Sequence, residues 1–110
     1  MRVEAPDLLR GLAREIQTTM DALRVTEYGD TDVMEVTETD RPEPGEGEVL
    51  IEVKAAGVNF ADIMQRRGHY HGGPKPPYVP GMEVAGVISA VGDGVEREPG
   101  EEVVSLVNGG

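Results

Sequence analysis

Cysteine is absent from the chain, so disulfide frameworks and thiolate metal sites are excluded at the outset. Also missing is any run close to the roughly eighteen apolar residues that a membrane helix needs. No signal-peptide pattern opens the sequence. Basic residues are scarce: ten Lys and Arg stand against 21 Asp and Glu, for a formal charge of -11 and a pI near 4.5. A nucleic-acid backbone needs a basic footprint, so nucleic acid is not an expected partner. A soluble, cytoplasmic protein without a membrane span is expected.

What is present suits a single small domain. The chain has 110 residues, 38% of them hydrophobic, which is enough for a modest core and too many for a disordered tail. The acids are spread through predicted strands and turns (Glu35, Glu38, Glu43, Glu46, Glu48, Glu96, Glu98, Glu101, Glu102) and do not form a tail. Such a domain repels itself in dilute buffer, and salt screens the repulsion. The expectation is adaptation to a salty cytoplasm, with a melting temperature that rises from low to molar salt; a flat response would reject it.

The order of patterns is a helix followed by strands. Over residues 5–19, "APDLLRGLAREIQTT", Leu8, Leu9, Leu12 and Ile16 recur with helical spacing, and Pro6 suits a first turn. Residues 1–19 are therefore expected to be a helical extension and 20–110 the domain proper. There, "ALRVTEY" (22–28) and "VMEVTE" (33–38) read as short strands, and "RPEPGEGE" (41–48) as a turn-rich connector. In "VLIEVKAAGV" (49–58), Val49, Ile51, Val53 and Ala55 alternate with Leu50, Glu52 and Lys54. "EVAGVISAVGDGVE" (83–96) reads as a strand entering a tight hairpin at Asp93-Gly94, and "EEVVSLV" (101–107) as another strand. The expected fold is mainly β, a small barrel with one short inserted helix.

The chemistry concentrates in "GVNFADIMQRRGHY", residues 57–70. Asn59 and Asp62 have the spacing of a capping box, and a carboxylate in the first turn suits the helix dipole. Phe60, Ile63 and Met64 would form the buried face, Arg66 and Arg67 would favour the C-terminal end, and Gly68 would close it. His69 and His71 are the only histidines. Two imidazoles without a third ligand do not make a catalytic zinc site, so no metal is expected. "AVGDGVEREPG" follows a strand but lacks a third glycine and has no room for a helix opening on a phosphate, so it reads as a hairpin.

Three ordered blocks, "AAGVNFADIMQRRGHY", "PYVPGMEVAGVISAVGDGV" and "PGEEVVSLV", resemble the N-terminal catalytic domain of the medium-chain dehydrogenase/reductases. "VNFAD" and "PGMEVAG" are most similar to the zinc-independent quinone oxidoreductases, particularly the VAT-1-like branch. The resemblance implies a GroES-like (chaperonin-10-like) β-barrel joined, in the full enzyme, to a Rossmann domain that binds NADPH. Residues 20–110 would then be an incomplete domain that lacks the Rossmann half and is inactive alone. Zinc-dependent members carry a cysteine where this chain has Asn59 and a histidine where it has Met82.

By the same resemblance, Asn59 and Tyr70 match positions that line the nicotinamide and substrate cleft. They are the candidate catalytic and cofactor-binding residues. Arg66 is the third cofactor-side candidate, with loop ordering as its other reading; Asp62 is expected to order the loop. Met64 falls where some relatives carry a second tyrosine. Gly81 and Gly86 are expected to allow close backbone approach. The implied reaction is hydride transfer from NADPH to a small-molecule quinone or enone. Alternatives are an enoyl reductase of the same superfamily and a non-enzymatic, partner-binding GroES-like module. A homodimer is compatible with either.

Overall fold

The computed structural model describes residues 18–107; the helical pattern read over residues 5–19 falls almost wholly outside them. Two antiparallel sheets make up the fold. Strands β1 (Thr19–Val25) and β2 (Met34–Asp40) form a two-stranded sheet, connected through a 3-10 turn at Thr31–Val33. Strands β3 (Val49–Ala56), β4 (Glu83–Val91) and β5 (Glu102–Leu106) form a three-stranded sheet in that order. A single α-helix, α1 (Phe60–Arg66), lies between β3 and β4 among the described residues.

The mainly β class with one inserted helix is as the sequence implied, but the sheets do not close into a barrel among the described residues. Their strands are too few to complete a cylinder, and β3 and β5 remain edges. Strand limits shift by up to three residues from those read in the sequence. β1 starts at Thr19 and ends at Val25, so "TEY" belongs to the connection.

The alternation expected along β3 is only partly realised. Val49, Leu50, Ile51 and Glu52 are all half-buried, whereas Val53 through Ala56 are exposed. Register shifts explain this: irregularities fall between Leu50 and Ile51 and between Val53 and Ala55. A bulge inserts one residue and turns the following side chains to the other face. Gly86 lies opposite Val53, and a Cβ there would collide with the Glu52 carbonyl oxygen. Only glycine fits this approach, which agrees with the expectation for Gly86. Gly81 differs from its expectation: a Cβ there would meet open space, and its φ of 125° is what selects glycine.

The hairpin expected at Asp93-Gly94 forms, since β4 and β5 pair antiparallel, but its connection is longer than the tight turn read there. Gly94 does turn the chain, with φ of 81°, but β4 and β5 pair only from Val87 with Glu102 onward. The connection is longer because Gly92 donates to the Glu48 carbonyl (2.8 Å) and Gly47 to the Asp93 carbonyl (2.8 Å). Those bonds hold Gly92 and Asp93 against the start of β3 and delay the return.

The core is small and lies at one end of the β1–β2 sheet. Val25 (0% exposed), Val33 (7%) and Tyr78 (5%) pack together with Met34 against them. Val25 and Tyr78 exchange both backbone N–H···O bonds, at 2.8 and 3.1 Å. This isolated bridge ties the segment before β4 to the first sheet. Ile88, 2% exposed, is the other fully enclosed side chain.

Candidate active site

Helix α1 begins as its sequence dictates. Asn59 occupies the N-cap with extended backbone (φ -116°, ψ 156°) and forms a capping box with Asp62. The Asn59 N–H donates to Asp62 Oδ2 at 2.8 Å, and the Asp62 N–H donates to the Asn59 carbonyl at 3.0 Å. Donors that the helix start would leave unpaired are thereby satisfied. The cap also fixes the Cα of Asn59, a half-buried residue directly after the end of β3 and Gly57-Val58.

The far end of α1 closes in a Schellman motif. His69 donates to the Met64 carbonyl (2.8 Å) and Gly68 to the Gln65 carbonyl (3.0 Å), with Gly68 at φ of 81°. A Cβ at Gly68 would also approach the Tyr28 ring to 3.2 Å. Left-handed backbone and ring contact both select glycine here.

The buried face of α1 differs from the one expected. Phe60 is 71% exposed and Ile63 and Met64 are half-buried, while Gln65 (5%) and Arg66 (8%) are the buried residues. The helix docks its last turn on the polar end of the β1–β2 connection, where a long stem ending in donors fits better than a ring. Arg66 Nε donates to the Gly29 carbonyl at 3.3 Å, and Nη2 reaches Asp30 Oδ1 at 3.4 Å. Gly29 N–H in turn donates to the Arg66 carbonyl at 3.0 Å. Arg67 stands 3.8 Å from the same Asp30 carboxylate.

Tyr70 lies beyond this clamp, on the connection 67–77, and is 46% exposed. His69 and His71 flank it and are exposed as well. Asn59 and Tyr70 thus stand at opposite ends of α1, a helix about 10 Å long. Among the described residues no group of three or more His, Asp and Glu is gathered as a metal would require.

Three polar atoms of α1 and the segment before β4 are buried unpaired. Asp62 Oδ1, Gln65 Nε2 and Tyr78 Oη are enclosed without a hydrogen-bond partner in the protein. Burial pushes the Tyr78 phenol up from its ordinary value, Tyr28 and Asp62 add to the rise, and the nearby Arg66 opposes it. These interactions place Tyr78, Arg66 and Asp62 in one electrostatic neighbourhood. The sequence reading missed Tyr78 and the Gly29-Asp30 acceptors. A tyrosine following "KPP" and a "YGD" turn have no local period that would expose such a role.

The three-stranded sheet ends in an open groove of about 590 Å³. Its floor is the cross-strand row Ala55, Ala85 and Val104, with Gly57 and Glu83 at the rim. Any side chain at Gly57 would collide with the Glu83 carboxylate. The groove is lined mainly by apolar side chains, with the Glu83 carboxylate and the Ser105 hydroxyl, and its lining residue Gly57 is two positions before Asn59. No helix among the described residues is long and apolar enough to cross a membrane.

Residues 45–109 match the family described as alcohol dehydrogenase GroES-like domain. The chain is 40% identical over 90 residues to mouse synaptic vesicle membrane protein VAT-1 homolog-like, covering 81% of this chain and 22% of that protein. It is 43% identical over 98 residues to the quinone oxidoreductase of Lama guanicoe, covering 86% of this chain and 30% of the relative. The fold is similar to the crystal structure of Escherichia coli quinone oxidoreductase complexed with NADPH, with a TM-score of 0.71 and 34% identity, over 77% of this chain and 26% of that one. The chain therefore spans less than a third of the length of these relatives. With the family's match enclosing the whole of Asn59 to Tyr70, the chain belongs to the GroES-like N-terminal domains of the medium-chain dehydrogenase/reductases, in the group of quinone oxidoreductases and VAT-1 homologues.

Proposed function

We propose that this chain is the N-terminal catalytic-domain portion of a cytoplasmic, zinc-independent, NADPH-dependent quinone oxidoreductase. The observation that carries the reading is that a 43%-identical quinone oxidoreductase matches 86% of the chain, while Asn59 is held by its cap two positions after Gly57, which lines an apolar groove.

The residues present suit one part of the cofactor. An apolar groove fits a flat, neutral nicotinamide, and the described groove lining has no cation for a diphosphate. NADPH, when bound, supplies the hydride. The chain's own residues then position and shield. The Asn59 side chain can donate to a carbonyl and accept from an amide at once, which fixes the plane of a carboxamide or quinone. Tyr70, half-exposed on its loop, offers a ring face to a planar acceptor and a hydroxyl to its oxygen. The small residues Ala55 and Ala85 leave room for a ring and keep water from one side of it. Glu83 at the rim is assigned no acid–base role.

The test uses the longer enzyme that carries this segment. Asn59→Ala and Tyr70→Ala should each lower NADPH-dependent reduction of 9,10-phenanthrenequinone by about tenfold, the worth of one well-made hydrogen bond. Unchanged turnover in a folded enzyme would return both residues to structural roles. Faster turnover with an enoyl-thioester than with the quinone would instead make the protein an enoyl reductase.

A further inference from the structure

The connection that carries Tyr70 stands with both feet on one short stretch of chain. At its start, Arg66 and Gly29 exchange bonds: Gly29 N–H to the Arg66 carbonyl (3.0 Å), and Arg66 Nε to the Gly29 carbonyl (3.3 Å). At its end, Tyr78 pairs with Val25 through two backbone bonds of 2.8 and 3.1 Å. Between the feet the loop packs little of itself away. Residues 67–73 are exposed, and Gly68, Gly72 and Gly73 all have positive φ. The position of such a loop is set by its ends.

The two ends differ in what holds them. The Val25–Tyr78 bridge is made of backbone and survives any side-chain substitution that keeps the fold. The starting foot has one backbone bond, from Gly29 N–H to the Arg66 carbonyl, and adds bonds from the guanidinium of Arg66, whose side chain is 10% exposed, while its partner Asp30 is 74% exposed. An ion pair with so exposed a carboxylate is screened. The Nε–carbonyl bond and the buried stem therefore set the geometry; methionine or lysine can supply the stem, but the Nε–H belongs to the guanidinium alone.

We infer that Arg66 is a positioning residue: through Gly29 and Asp30 it fixes the loop that presents Tyr70, and it makes no contact with the cofactor. The catalytic half of this inference rests on the quinone-reductase reading above; the loop-ordering half does not. It also resolves the two roles that the sequence left for Arg66.

The experiment compares Arg66→Met and Arg66→Lys with the parent in the longer enzyme. Arg66→Met keeps the stem and removes every donor; Arg66→Lys keeps stem and charge, and serves if the first variant does not fold. Hydrogen exchange of amides 69–73 is measured together with kcat for the quinone, the NADPH dissociation constant, and each variant combined with Tyr70→Ala. In Arg66→Met, loop exchange should rise about tenfold, the loss of one anchoring bond. The quinone kcat should fall by a similar factor with NADPH affinity unchanged, and Arg66→Lys should restore part of both. Adding Tyr70→Ala should cost little more, because the two act through one element. Weakened NADPH binding with unaltered loop exchange would overturn the inference and make Arg66 a cofactor ligand. Unaltered exchange and turnover in both variants would overturn it as well. If the parent reduces no quinone yet the loop loosens, the enzymatic reading fails and the anchoring role stands.

Discussion

The two sheets of this small domain are finished to different degrees. The β1–β2 sheet is closed at one end: Val25 and Val33 pack with Tyr78 from the segment before β4, and its connection receives the last turn of α1 through Arg66, although Val36 stays 69% exposed. The β3–β4–β5 sheet encloses Ile88 but leaves Val104 83% and Leu106 85% exposed on one face. The contrast teaches where the site's precision comes from. Tyr70 is carried by the finished region, whereas Asn59 stands where the unfinished sheet hands the chain to α1. The Tyr70 loop is anchored on a packed core and paired polar groups, whereas the groove of the other sheet is an open apolar floor.

Removing core from the finished region should have the largest effect. Val25→Ala should lower stability by about 2–3 kcal/mol in urea unfolding, the transfer of a fully buried valine plus an incompletely filled cavity. A loss below about 0.5 kcal/mol would erase the contrast between the sheets.

An intermediate effect should come with pH. Burial holds the Tyr78 phenol above its ordinary value near 10. The neutral phenol is thus favoured by the fold, so this contribution is complete below that ordinary value and is lost as pH rises through the folded one. Melting temperatures of the parent should drop more steeply above about pH 10 than those of Tyr78→Phe. Below that pH the phenylalanine variant should be no less stable, since the hydroxyl is buried without a partner in the protein. Parallel curves would refute the assignment.

The smallest effect belongs to the open sheet. Leu106→Thr should change stability by less than about 0.5 kcal/mol, because the side chain it shortens is already in solvent. A loss as large as that of Val25→Ala would mean that something covers the face.

Much of this was legible in the residues because it is local. The strands announced themselves by β-branched runs, and the Asn59–Asp62 cap by its spacing. Gly68 was foreseen as the helix stop, and the ordered blocks carried the family. What escaped was long-range. The helical period pointed to Phe60, Ile63 and Met64 as the buried face, but α1 docks on a polar turn whose Gly29 lies 37 positions before Arg66 in the sequence. An arginine there outcompetes a phenylalanine for burial. The bulges in β3 likewise arise from pairing with β4, so a strand read alone looked regular. The distance between Asn59 and Tyr70 along α1 was hidden for a similar reason: both lie in one short motif, and only the folded helix shows that they occupy its two ends.

The closeness of the loop's two anchors has a consequence for how such a protein can change. Val25 and Gly29 are neighbours on one turn of chain, so whatever joins Arg66 to Tyr78 need only leave and return to nearly the same place. The closure cost of such a loop varies slowly with its length. Beyond the helix stop at Gly68 and His69, residues 70–77 can therefore be lengthened, shortened or recomposed with little disturbance to either sheet. The segment behaves as an exchangeable fitting, whose length and composition can change while the folding of the scaffold is left alone.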